Sequence, residues 1–163
     1  MTTTSLLSVV DYNKLVEVYH NDTDRAAAVL AAAFLDAYLA EFLRFHLVKD
    51  PLVEELFQNA GPLSSLYSRA RCAYAMGLIQ RSLLDDIELI RKVRNHFAHH
   101  PADTSFSAAP VRDICRSLST AKGLLGLKEG PRHLHEPRFW YLVAVGGAVA
   151  FMHNTMLEAQ NRG

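Results

Sequence analysis

Apolar residues in this chain return at steps of three and four, and no useful stretch alternates at steps of two. The first spacing lines one side of an α-helix, whereas a half-wet strand needs every second residue to be apolar. The pattern therefore predicts an all-α fold, a single-domain bundle of six or seven helices spanning residues 1–163. Its core region would cover about 22–120, followed by a C-terminal apolar helix at about 137–159. A first helix is expected from Ser5 to His20, with Leu6, Val10, Leu15 and Val18 near one stripe. Asn21 or Asp22 is the expected N-cap of a longer helix reaching about Val48, its buried stripe formed by Leu30, Phe34, Ala37, Tyr38, Phe42 and Phe45.

Breakers divide the remainder. Pro51 opens a short helical turn to Gln58, which Asn59-Ala60-Gly61-Pro62 stops. A helix is expected from about Ser64 to Gln80, a bend at Arg81 and Ser82, and another helix from Leu84 to about Ala98, closed by Pro101. Pro110 suits the first turn of a helix through Leu118, Gly123 to Pro131 reads as a loop, and Pro137 opens the last helix.

Composition excludes several classes. The chain's 163 residues can bury a core without metal or disulfide staples. Lysine and arginine number 17, as do aspartate and glutamate, so the broad positive excess of a non-specific nucleic-acid binder is missing. Cys72 and Cys115 sit in apolar segments without CxxC spacing, as reduced core thiols of a cytoplasmic protein do. The start, MTTTSLLSVVDYNK, carries no basic leader and too short an apolar run for a signal peptide. Trp140 to Met152 is free of charge but shorter than the roughly 18–20 residues of a membrane helix, so it reads as a buried helix and no membrane association is expected. Within it, Gly146-Gly147 suits close helix packing.

The stretch RKVRNHFAHH, 91–100, concentrates the polar chemistry. With Arg91 set at zero on a helix, Ile87, Ile90, Val93 and Phe97 share an apolar arc centred at about −100°. Arg94 falls at about −60°, inside that arc, while Asn95 and His99 lie at about +40° and +80°. A guanidinium directed among apolar neighbours needs a partner, and Asp36 and Glu41 are the ion-pair candidates, with Asp85 and Asp86 as local ones. Arg91, Asn95 and His99 form a polar stripe beside Arg94, so these four are the candidate binding residues for a phosphate or another anion. His96 and His100 read as caps of the last turn. No metal is expected, because HExxH is missing and the histidine pair has no evident third ligand. No cofactor is expected either, since GxGxxG, GxxxxGK[ST] and GxSxG are all missing.

Four stretches together resemble the mannitol operon repressor family of small all-helical bacterial transcriptional regulators: DRAAAVLAAAFLDAYLAEFLRFHL, SSLYSRARCAYAMGLI, DDIELIRKVRNHFAH and SFSAAPVRDIC. They span roughly Asp24 to Leu118, and the resemblance implies a repressor acting in carbon-source regulation. No helix-turn-helix, zinc-finger or basic-arm signal accompanies it. Contact with another regulatory protein, or with DNA through an assembled homodimer surface, is accordingly expected. A shorter likeness concerns Arg94-Asn95-His96-Phe97-Ala98-His99, which fits the R-N-x-x-x-H signature of HEPN domains. That resemblance implies, as the alternative, a metal-independent ribonuclease with Arg94 on the phosphate, Asn95 orienting and His99 transferring protons. A non-enzymatic regulator is the preferred reading.

Overall fold

Thr23 Oγ1 accepts a hydrogen bond from the Ala26 amide at 3.2 Å and so caps the first described helix, α1 (Asp24–His46). The computed structural model describes residues 22–163 except 101, 103 and 128. The helix expected over Ser5 to His20 and the stop at Pro101 lie outside the described residues. After α1 come α2 (Pro51–Leu56), α3 (Leu66–Ala75), α4 (Arg81–His99), α5 (Ala109–Arg116), α6 (Ser119–Leu125), a 3-10 turn (Arg132–His135) and α7 (Pro137–Arg162). Among the described residues there is no strand, and the fold is all-α.

Local chemistry sets the boundaries. Asp50 caps α2 by accepting from the Leu52 amide at 2.8 Å, with Pro51 in the first turn where its missing N–H costs nothing. Ser65 and Ser68 form a reciprocal capping box at the start of α3. That helix ends at Ala75, well short of the expected Gln80. Gly77 adopts φ 72, and the amides of Leu78 and Gly77 turn back to the carbonyls of Ala73 and Tyr74, each at 2.9 Å. This glycine-closed stop satisfies orphan carbonyls that a continuing helix would have bonded differently. A second departure follows α5, where α6 occupies part of the segment expected to be loop.

Three contacts fix the two longest helices relative to each other. Arg138 pairs with Asp24 at 2.8 Å, the Tyr141 hydroxyl donates to the Ala28 carbonyl at 2.7 Å, and the Tyr38 oxygen meets His153 Nδ1 at 2.7 Å. Both residue numbers rise together, so α1 and α7 run parallel. Their mutual packing accounts for their apolar composition. Each contains an 18-residue window apolar enough to cross a membrane, of which 56% and 44% respectively are buried inside the bundle.

Helix α4 packs against both α1 and α7. Ile87, Ile90, Val93 and Phe97 are all buried, as the spacing required. Phe97, Phe106 and Tyr141 continue the core as ring contacts at 5.0 and 5.3 Å. Burying each such side chain contributes roughly 1.5–3 kcal/mol relative to leaving it in water. The buried face of α1 differs from the expected stripe: Ala28, Ala31, Leu35, Leu39 and Phe42 are buried with Tyr38, whereas Leu30 is 46% exposed and Ala37 is exposed. Alanines let α7 and α4 approach closely, so the bulky residues at the helix's flank stay outside.

Candidate functional site

The apolar arc of α4 leaves Arg91 and Asn95 half-buried at the surface of the bundle, with Arg94 at the arc's edge. The expected carboxylate for Arg94 is not there. Asp36 instead pairs with Arg69 of α3 at 2.6 Å, and Glu41 pairs with Arg44, one turn along α1, at 2.7 Å. Asp36 is turned toward α3 and away from α4, which explains the exchange. The local candidates are also engaged: Asp85 holds Arg81 at 2.9 Å, and Asp86 accepts from the Ser119 amide at 3.0 Å. Arg94 Nε is buried with no hydrogen-bond partner among the described residues, and the same holds for Arg91 Nε.

The Arg94 charge is felt by Tyr141. Burial holds that phenol well above the usual tyrosine value, Cys115 adds to the rise, and Arg94 opposes it. Arg94 thus leans inward toward α7. His99, by contrast, is exposed near the end of α4. Five residues apart on one helix, the two are separated by about 140° of rotation. One chain therefore does not bring Arg94 and His99 together as a proton-transfer pair. His96 and His100 stack with centroids 4.3 Å apart, and His100 Nδ1 lies 3.1 Å from the His96 carbonyl, closing the last turn. No group of three or more metal-ligating side chains occurs among the described residues.

Helix α3 supplies what the sequence reading left out. It runs antiparallel to α4, so Arg71 reaches Glu88 at 3.0 Å and Arg91 reaches Tyr67 one turn further on. The Tyr67 ring takes two cations, the guanidinium carbon of Arg71 at 4.3 Å and that of Arg91 at 5.2 Å from its centroid. Such contacts follow from the negative potential above an aromatic face. Within SSLYSRA, the i, i+4 spacing of Tyr67 and Arg71 was a legible signal of a shared face; the contribution of Arg91 across the helix pair was not. Glu88 is the one carboxylate within ion-pair distance of Arg71, Arg91 or Arg94 among the described residues. A locally cationic, aromatic edge results on a chain of zero formal net charge. The described depression lined by Glu55, Gln58 and Gly61, on the α2–α3 connection, shares none of these residues.

The mannitol repressor family model matches residues 21–136. The chain belongs to the mannitol repressor family. Membership makes it a transcriptional regulator, and the match covers every residue of the α3–α4 edge. Two solved structures are similar to this family member. One is the MtlR–HPr complex from Escherichia coli, with a TM-score of 0.69 and 18% identity over 86% of this chain and 97% of that one. The other is YggD from Shigella flexneri, described as a "possible" transcriptional regulator, with a TM-score of 0.68 and 17% identity over 92% of this chain and 99% of that one. At such identities the likeness concerns the fold alone. No curated protein matches the sequence.

Proposed function

We propose that this repressor-family chain acts in the cytoplasm by binding another regulatory protein, and that it does not read DNA bases through a dedicated motif. The α3–α4 edge is the contact region, with Arg91, Arg94, Asn95 and His99 as binding residues and the bundle working as one domain. The observation that carries this reading is a pair of guanidinium groups, Arg91 and Arg94, left without a carboxylate partner among the described residues of an electrically neutral protein. Support also comes from the similar Escherichia coli protein, whose structure is a complex with HPr. HPr is therefore the first partner to try. Titrating the full chain with HPr from the same organism in a calorimeter should give saturable binding, and flat heats across the micromolar range would remove HPr as the partner.

A second copy is also proposed. Leu30, Val143 and Phe151 are exposed apolar side chains on the two most apolar helices, and a homodimer would cover them. Light scattering should return twice the chain mass; a mass equal to one chain would sink the dimer. The ribonuclease alternative lacks a supporting observation, since Arg94 and His99 diverge around α4.

A further inference from the structure

We propose that Tyr67, in contact with both Arg71 and Arg91, anchors a docking surface for an acidic protein surface. The proposal rests on the regulatory reading above and names the chemistry of its partner. Three features carry it. First, the edge is short of negative charge. Among the described residues, Arg71, Arg91 and Arg94 have between them the single carboxylate of Glu88, and the Glu88–Arg71 contact lies outside hydrogen-bond alignment. Unspent guanidinium donors fit carboxylates as two parallel hydrogen bonds.

Second, the anchor is held in place before anything binds. Tyr67 is 43% exposed, yet its ring packs against two guanidinium groups, and the Nε atoms of Arg91 and Arg94 are buried. Side chains already ordered lose less conformational entropy on association. Third, the surroundings suit protein better than nucleic acid. Exposed Tyr74, two turns along the same helix face, adds to the tyrosine and arginine enrichment typical of protein interfaces. Glu88 and Asp85, each paired with an arginine, break up the run of positive charge that a phosphate backbone follows, so the edge suits one or two discrete carboxylates.

The test uses the full chain and two fluorescein-labelled probes read by anisotropy, a peptide of glutamate, aspartate and tyrosine and a single-stranded RNA of equal length. The peptide is expected to bind, with affinity falling about tenfold or more in Tyr67→Ala and Arg91→Glu and less than about twofold in Arg112→Glu. Arg112 lies on α5 and pairs with its neighbour Asp113. Arg91→Gln, which keeps the polar stem, should show the same direction of change if Arg91→Glu unfolds the protein. A peptide that fails to bind, or binds all variants equally, overturns the proposal. So does RNA binding that the same substitutions abolish, which would make this a nucleic-acid surface. Because no HPr is present, a failure of HPr to bind leaves this outcome independent.

Discussion

The Tyr38 phenol of α1 and the His153 imidazole of α7 meet at 2.7 Å, joining residues 115 positions apart. Tyr38 is buried, and burial pushes its phenol up to about 12. A raised acid pKa means the folded state holds its proton where the unfolded chain, titrating near 10, has lost it. The resulting stability is fully present below pH 10 and is lost as pH rises toward about 12. Tyr141 and Cys115, raised by burial in the same direction, add to the fall in denaturant midpoint from pH 9 to 11.5; Tyr38 should account for an amount equivalent to about 2 kcal/mol of it, the part that Tyr38→Phe removes. A flat profile in the native protein would refute the assignment.

Asp24 joins three segments. One carboxylate oxygen takes Arg138 at 2.8 Å and the other accepts from the Phe106 amide at 2.9 Å, while the residue itself opens α1. Removing it leaves a part-buried amide without its acceptor. Asp24→Ala is expected to cost roughly 1–3 kcal/mol by urea titration, more than Asp113→Ala, whose exposed pair should be worth under about 1 kcal/mol. Equal midpoints for the two variants would contradict the joining role.

Arg94 gives a counterintuitive expectation. Its Nε is buried without a partner and no carboxylate neutralises it among the described residues. Methionine, of similar length and apolar, should fit that environment, so the melting temperature of Arg94→Met should equal or exceed that of the native chain. A loss of more than about 2 kcal/mol would mean that the guanidinium stabilises the bundle.

Two glycines should respond oppositely to alanine. A Cβ at Gly61 would run into the backbone carbonyl oxygens of Leu56 and Glu55, whereas one at Gly147, within α7, meets nothing within 4 Å. Gly61→Ala should lower stability by about 1–3 kcal/mol, and Gly147→Ala should raise it by about 0.5–1 kcal/mol through reduced unfolded-state freedom. Thermal melts of the two variants decide the matter, and a shift of the same sign in both would count against it. Gly147, unlike the expectation of close packing for the glycine pair, is exposed.

Helix content and the buried arc of α4 were legible before any coordinates, because the 100° step between residues alone places Ile87, Ile90, Val93 and Phe97 together. The inward lean of Arg94 followed from the same arithmetic. In α1 the periodicity misled: with alanine or a large apolar residue on nearly every side, several stripes satisfy one pattern, and the tightly packed neighbours selected the alanine side. Gly77 was visible in the chain, yet its positive φ, which ends α3 early, depended on the turn into α4.

Partners across the bundle obey a different rule. Asp36 binds Arg69 and not Arg94, and Tyr67 gathers Arg71 together with Arg91, because helix directions and crossings bring distant side chains within a few ångströms. Residue spacing within a helix is a local property, set by backbone geometry and readable from the chain alone. Which acid meets which base is a property of the assembled core, since many pairings are chemically equivalent until packing fixes the distances.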